Sequence, residues 1–125
     1  MENLTRIRLV DDAWNHRDWD TYASFFAADF VGWMNGDKRP HGKEEHLQRG
    51  QAFCESMPTN LIHCDPYLEL FASADGSQTC SISSVSPSLS SSPEDEDAIL
   101  IVVCRWRDGQ IVSQRESICR EPFLT

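Results

Sequence analysis

The residue with the clearest chemical potential is Glu116, which lies between residues 111 and 119 near the C-terminus. Side chains in this segment alternate with a period of two, which predicts a β-strand. In such a strand Glu116 shares one face with Val112, Gln114 and Ile118. A lone carboxyl group among apolar walls has a raised pKa and can exchange a proton with a ligand. We therefore interpret Glu116 as a candidate acid–base group. The alternative is that it lies on the outer, solvated or dimer-facing side without a chemical role.

The four histidines differ in what they can reach. His46 in a predicted helix and His63 in a predicted strand are placed to approach a pocket. His16 and His41 lie in predicted loops, and we expect neither to approach the pocket. A single histidine is more often a surface or hydrogen-bonded residue than a catalytic base, so the histidines rank below Glu116.

The cysteines are odd in number, irregularly spaced and without a Cys-x-x-Cys pair. We interpret them as reduced thiols that mostly fill the core of a cytoplasmic protein. We expect no metal ion and no cofactor. The five are Cys54, Cys64, Cys80, Cys104 and Cys119.

Helices are predicted mainly in the first half of the chain. Apolar residues recur at helical spacing over residues 3–16. Asp18 is a predicted N-cap for a second helix, whose apolar stripe ends at Phe26. A short strand is predicted from Phe30 to Asn35. A third helix is predicted from near Gly42 to Met57-Pro58, with acidic residues in its first turn.

The second half of the chain predicts strands. A long strand is expected over residues 62–70, with a bulge or an edge at Pro66. Further strands are expected at 79–86, 98–107 and 111–119, the last two joined by a turn at Asp108-Gly109. Residues 86–97 are rich in serine and acids and predict a flexible loop. The order predicts an α+β protein with helices on one face of a sheet.

Composition limits the partners. The chain of 125 residues suits a single domain, and 20 acidic against 11 basic residues give a net charge of −9. This charge repels phosphate, so we expect no nucleic acid and no membrane as partner. No apolar run approaches the ~20 residues of a membrane span. The N-terminus has no long apolar stretch typical of a signal peptide.

Three motifs in register resemble one superfamily. WNHRDWD at 14–20, followed by FAADFV at 26–31, resembles the opening of nuclear transport factor 2-like, SnoaL-like proteins. PHGKEE at 40–45 is similar to the helix start that follows in that family, and WRDGQIV at 106–112 resembles its last hairpin. The resemblance implies a cone-shaped open barrel, with three N-terminal helices packed on a curved antiparallel or mixed sheet. The resemblance covers about residues 4–120 of a single domain, 1–125. It implies an internal pocket and a homodimer formed through the outer sheet face.

The same resemblance argues against two reactions of the superfamily. Ketosteroid isomerases carry their tyrosine and two aspartates at the places of Val10, Met34 and Val102, and none of these side chains can move a proton. Limonene-type epoxide hydrolases need polar groups at the places of Gly32 and Met34, and an arginine and an aspartate where this chain has serines. Only Glu116 matches a carboxylate of that site.

SnoaL-like polyketide cyclases, by contrast, use a single acidic residue late in the sheet, and Glu116 with Gln114 meets that requirement. We therefore expect a small-molecule pocket protein that binds an apolar or aromatic metabolite, with cyclase- or isomerase-type chemistry at Glu116. The alternative is a non-catalytic binding or dimerisation module that uses the outer sheet face. The predicted pocket residues are Val10, Trp14, Phe26, Gly32, Met34, Leu100, Val102, Cys104 and Gln114.

Overall fold

The computed structural model describes residues 1–86 and 98–119. The predicted flexible loop at 86–97 therefore lies outside the described residues, except for Ser86. In chain order the elements are α1 (Asn3–Asn15), α2 (Trp19–Ser24), β1 (Phe26–Met34), β2 (His41–Gly42), α3 (Lys43–Ser56), β3 (Leu61–His63), β4 (Glu69–Ala72), β5 (Gln78–Ser86), β6 (Ala98–Arg107) and β7 (Gln110–Cys119).

Local sequence signals account for the helix ends. Asp18 is the N-cap of α2, as predicted, and its carboxylate accepts a hydrogen bond from the backbone N–H of Thr21 at 3.3 Å. Glu44 and Glu45 occupy the first turn of α3, where the helix dipole favours negative charge. Helix α3 ends at Ser56, two residues before Pro58.

The strands form one mixed, curved sheet that does not close on itself, with the order β2-β1-β7-β6-β5-β3 and with β4 also paired to β5. Strand β1 runs parallel to β7, while the other pairs are antiparallel. The hairpin between β6 and β7 turns at Asp108 and Gly109, whose φ angles of 52° and 80° are those of a two-residue hairpin turn.

Helix α1 contacts β3, β4 and β5, and α3 contacts β1 and β2, so the helices cover one face of the sheet. We call this the inner face and the opposite one the outer face. Buried residues of α1, including Ile7 and Val10, join Val102 of β6 and Ile111 of β7 in one core. The result is the predicted α+β cone-like fold.

Three details of the prediction are wrong. Strand β1 begins at Phe26, which the helical spacing had assigned to α2, because Phe25 ends that helix and its carbonyl accepts a bond from Ile111. The long strand at 62–70 is two short strands, β3 and β4, separated at Pro66, whose ring cannot donate a ladder hydrogen bond.

The third wrong detail is the predicted regular alternation through the first half of β7, which would place Val112 on the same face as Gln114 and Glu116. The pairing of β6 with β7 shifts between Arg105 and Trp106, because Val112 is an extra residue without a partner in the ladder. Ile111 rather than Val112 is therefore fully buried. The alternation beyond the shift is regular and carries Gln114 and Glu116 to the inner face.

No helix in the described part of the chain has the length and apolar character needed to cross a membrane.

Candidate functional site

A cavity of about 300 Å³ lies between the helices and the inner face of the sheet. Its volume falls at the lower end of the range of ligand pockets, roughly 300–1,000 Å³. Most of its walls are apolar, and the polar groups belong to α1, α2, α3, β2 and β7 and to the segment between α3 and β3. The lining residues are Ile7, Val10, Asp11, Trp14, Tyr22, Met34, His41, His46, Arg49, Gly50, Phe53, Asn60, Ile62, Val85, Leu100, Val102, Gln114, Glu116 and Ile118.

Most of the predicted pocket residues lie in this wall. Leu100, Val102 and Gln114 come from β6 and β7, where Val102 pairs directly with Glu116 and Leu100 with Ile118. The other predicted residues among the lining groups are Val10, Trp14 and Met34.

Phe26, Gly32 and Cys104 are not among the lining residues. Phe26 and Cys104 are fully buried in the core behind the wall, and the Cys104 thiol donates to the Gln114 side-chain oxygen at 3.4 Å. Gly32 supports the site differently, since a Cβ atom there would come within 2.6 Å of His41 Nε2. The missing side chain of Gly32 thus leaves room for the His41 ring.

The Glu116 carboxyl group lies inside the cavity. Its Oε1 atom accepts a hydrogen bond from the Gln114 side-chain amide and lies 3.8 Å from Nε2 of His46. Burial raises the pKa of Glu116 from 4.5 to about 7, although the hydrogen bond from Gln114 acts in the opposite direction. Near neutral pH this carboxyl is therefore poised between its protonated and ionised forms.

A second carboxyl group, that of Asp11 on α1, also lines the cavity. Its Oδ2 atom accepts a hydrogen bond of 2.6 Å from the Tyr67 hydroxyl. Burial raises the pKa of Asp11 to about 7, and the bond from Tyr67 partly offsets this rise. The cavity is thus bordered by two carboxyl groups whose surroundings oppose ionisation.

Two stacked histidines form the wall next to Glu116. His41 Nε2 and His46 Nδ1 are 2.9 Å apart, and the two rings are nearly parallel. On the far side, His41 Nδ1 is 3.2 Å from Oδ2 of Asp37. On the cavity side, the Tyr22 hydroxyl is 3.2 Å from His46 Nε2. Burial, followed by the electrostatic influence of His41 and Arg49, lowers the pKa of His46 from 6.5 to about 3, so this ring stays neutral.

These groups can position and protonate an organic molecule. Apolar side chains border the carboxyl groups, and a carboxyl with a pKa near 7 can act as both acid and base. Within residues 1–86 and 98–119, no group of three or more His, Cys, Asp or Glu side chains is arranged so that it could hold a metal ion.

The sequence prediction missed Asp11 and His41. His41 was assigned to a loop, but it forms the short strand β2 with Gly42 and is buried, with 6 % of its surface exposed. One feature of the sequence could have indicated Asp11: it lies on the apolar side of α1, where a buried carboxyl group is unusual and needs a partner. His63, a predicted alternative, is exposed on β3 and is not a lining residue.

Comparison with known proteins identifies the family. The SnoaL-like domain family matches residues 7–114 of the chain. The chain therefore belongs to the SnoaL-like domain family, within the nuclear transport factor 2-like superfamily. No curated protein matches the chain in sequence.

Solved structures support the same fold. An uncharacterised cystatin-fold protein from Novosphingobium aromaticivorans is 22% identical with a TM-score of 0.73, and the match covers 96% of this chain and 99% of that one. IdmH from Streptomyces antibioticus, a candidate polyketide cyclase, is 19% identical with a TM-score of 0.75, covering 91% of this chain and 89% of IdmH. A candidate ketosteroid isomerase from Kribbella flavida is 17% identical with a TM-score of 0.72, covering 99% and 84%. At these identities the similarity shows the fold alone.

Proposed function

We propose that this protein binds a small, neutral, apolar or aromatic metabolite in the cavity and that Glu116 transfers a proton to or from it. The observation that carries the proposal is the Glu116 carboxyl, which lies inside an apolar cavity with its pKa raised to about 7. The resulting chemistry is of the cyclase or isomerase type, in which a carbonyl compound gains and loses protons. The similarity to IdmH is compatible with this class of reaction.

The charges of the wall favour a neutral ligand. Arg49 lines the cavity, but its guanidinium is paired with Asp37 at 3.1 Å and with Glu45 at 2.6 Å. A ligand carboxylate or phosphate would thus compete with existing ion pairs and would meet Asp11 and Glu116. The apolar side chains contribute most of the remaining wall and favour hydrocarbon.

One carboxyl group is sufficient when the proton transfers are sequential. Protonated Glu116 donates its proton to the carbonyl oxygen or to a carbon atom of the ligand, and its O–H bond breaks. The carboxylate then takes a proton from a carbon atom next to the carbonyl group, which restores the O–H bond. When the proton moves between two atoms of the ligand in this way, a double bond shifts. In a ring closure the carboxylate first takes the proton next to one carbonyl group, the enolate carbon forms a bond to a second carbonyl carbon whose C=O π bond breaks, and Glu116 returns the proton to that oxygen. In both cases no proton is gained or lost by the enzyme.

Exchange of hydrogen for deuterium tests this proposal with model ketones in place of the natural substrate. A panel of small aromatic and alicyclic ketones is incubated with the protein in D2O, and deuterium uptake next to the carbonyl group is followed by mass spectrometry. We expect the protein to accelerate uptake into at least one ketone and Glu116→Gln to abolish the acceleration while the ketone still binds.

Glu69→Gln is the matched control, because Glu69 is an exposed glutamate on β4. This variant should exchange at the wild-type rate. Undiminished exchange by Glu116→Gln, or no acceleration by the wild type with any ketone that binds, would contradict the proposal.

A second candidate function, association through the outer face, is favoured by a row of side chains across the sheet. The row crosses five strands from β4 to β1, and each member pairs with the next: Phe71, Cys80, Val103, Arg115 and Trp33. Phe71 and Val103 are 53% and 38% exposed, and the Arg115 guanidinium lies 5.0 Å from the centre of the Trp33 ring. An apolar surface of this kind suits a second copy of the chain, and we propose a homodimer.

Val103→Glu places a charge at the centre of that row and tests the dimer by sedimentation. We expect the wild type to sediment as a dimer and Val103→Glu as a monomer. A wild-type monomer at all concentrations would contradict the proposed association, but it would leave the cavity chemistry unaffected.

We also propose that the protein resides in the cytoplasm. All five cysteines are free thiols, as suits a reducing compartment. Fractionation of cells that produce the tagged protein tests this location.

A further inference from the structure

The polar groups around the paired histidines form a chain of hydrogen bonds with a definite direction. Asp37 is ionised, because the hydrogen bond from the Met34 backbone N–H, supported by Arg49 and His41, holds the pKa of its carboxyl below the usual value. A carboxylate can only accept hydrogen bonds, so the nitrogen facing it, His41 Nδ1, carries a proton. Asp37 thereby determines the orientation of every proton that follows in the chain.

The same donor-to-acceptor direction continues through the rings of His41 and His46. The His41 ring is buried, and its Nδ1 atom lies 3.4 Å from the Arg49 guanidinium, so a positive charge on the ring is opposed. In this uncharged ring, Nε2 has only a lone pair when Nδ1 carries the proton. His46 Nδ1, at 2.9 Å, must then be the donor, and His46 Nε2 must in turn be an acceptor. The Tyr22 hydroxyl at 3.2 Å supplies the proton that Nε2 accepts. Each proton in the series therefore points away from the cavity, toward Asp37.

The last member of the series is the Tyr22 oxygen, which lies in the cavity wall. Its proton is engaged with His46, so the oxygen has lone pairs alone to offer to a ligand. We infer that Asp37, acting through His41 and His46, orients the Tyr22 hydroxyl as an acceptor that binds a hydroxyl group of the ligand beside Glu116.

This inference rests on the proposed function, because it places the ligand hydroxyl at the end of the cavity that holds Glu116. The nearest oxygen of the Glu116 carboxyl is 3.8 Å from His46 Nε2, so both groups face the same region. Ligand recognition there combines an acceptor, Tyr22, with a carboxyl that donates when it is protonated. A neutral alcohol, phenol or enol can donate to Tyr22 and accept from Glu116, whereas a pure hydrocarbon can form neither hydrogen bond.

Asp37 and His41 are positioning residues in this account, since they act through His46 and Tyr22. In the absence of Asp37, Arg49 determines which nitrogens of the histidines carry protons, because its Nη1 atom is 3.4 Å from His41 Nδ1. In Asp37→Ala the guanidinium becomes the nearest donor to that nitrogen. The lone pair then moves to Nδ1 of both histidines, and the proton of each ring moves to Nε2.

Nitrogen-15 NMR of the histidine rings tests the direction of the chain and requires no ligand. We expect His41 and His46 to carry their protons on Nδ1 in the wild type and in Asp37→Asn, which retains an acceptor oxygen. In Asp37→Ala both protons should move to Nε2. The exposed His63 serves as the reference ring in each spectrum. A proton on Nε2 of His46 in the wild type, or unchanged tautomers in Asp37→Ala, would overturn the inference.

Binding of 2-phenylethanol and ethylbenzene, measured by NMR titration, tests the ligand preference. Tyr22→Phe removes the acceptor, so the ratio of the two affinities should shift toward ethylbenzene by about three- to tenfold, the value of one net hydrogen bond. Glu69→Gln, at an exposed position on β4 outside the cavity lining, is the control and should leave the ratio unchanged. An unshifted ratio in Tyr22→Phe would overturn the inference. Failure of ethylbenzene to bind the wild type would count against the proposed function instead.

Discussion

The two carboxyl groups of the cavity, Asp11 and Glu116, resemble each other in their raised pKa and differ in their partners. Burial raises the pKa of both to about 7. Asp11 accepts a short hydrogen bond from Tyr67, which lies outside the cavity lining, between β3 and β4. Glu116 is held by Gln114, which belongs to the wall itself, and it faces His46 and Tyr22.

The difference shows that a raised pKa alone does not identify a catalytic group. The Tyr67 hydroxyl ties Asp11, and with it α1, to the segment that follows β3. We interpret Asp11 as a structural link, and Glu116 as the group that meets the ligand. Substitutions at Asp11, Tyr67 and Glu116 separate these two roles.

The largest expected effect separates the two carboxyl groups by activity. General acid–base catalysis contributes roughly 100- to 10,000-fold, so Glu116→Gln should lose at least about 100-fold in deuterium exchange. Asp11→Asn retains a polar group of the same shape and should stay within about threefold of the wild type, since the proposed chemistry does not pass through Asp11. Equal losses in the two variants would show that both carboxyl groups take part in catalysis.

Removal of the Tyr67 hydroxyl tests the structural role of Asp11. Tyr67→Phe leaves the buried Asp11 carboxyl without its donor, which should lower the free energy of unfolding by about 1–3 kcal/mol. Urea denaturation measures this change. Glu116→Gln should change the unfolding free energy by less, because Gln114 and the cavity remain. An unchanged midpoint in Tyr67→Phe would refute the structural link.

The pH dependence of stability provides a third distinction. Because the folded pKa of Asp11 lies above its ordinary value of 3.8, its contribution to stability is complete below about pH 4 and is lost as pH rises toward 7. Asp11→Asn should therefore gain stability relative to the wild type across this range. The lowered pKa of His46 acts in the opposite direction in both proteins and cancels in the difference. A pH-independent difference would contradict the raised pKa.

The smallest expected effect is on the rate of exchange when the space that Gly32 leaves for the His41 ring is filled. In Gly32→Ala the added methyl group would meet His41 Nε2 at 2.6 Å and displace that ring. We expect deuterium exchange to fall several-fold, while Gly42→Ala, whose added methyl would meet no atom within 4 Å, serves as control. Equal rates in the two variants would show that the His41 position is unimportant for Glu116.

The sequence predicted the main elements because their signals are local. The alternation at 98–107 matches β6 in full, and Asp18 caps α2 as expected. Alternation also predicts the inward position of Glu116, but the bulge at Val112 interrupts the alternation and Ile111 is the fully buried residue. A bulge is set by the pairing of two strands and has no signature in one of them.

The polar part of the site could not be predicted in the same way. The chain from Asp37 through His41 to His46 joins the end of β1, strand β2 and helix α3, and its geometry depends on tertiary packing. His41 looked like a loop residue because β2 has only two residues and shows no periodicity. The spacing of α1 does not single out Asp11, because Val10, beside it, already occupies the apolar position that the helical pattern predicts.

The central claim is that the Glu116 carboxyl titrates near neutral pH inside the cavity. Carbon-13 NMR of protein labelled only at glutamate carboxyl groups measures this directly, with the Glu116 signal assigned by its loss in Glu116→Gln. We expect a midpoint near pH 7 for that signal. A midpoint near the ordinary value of 4.5 would contradict it.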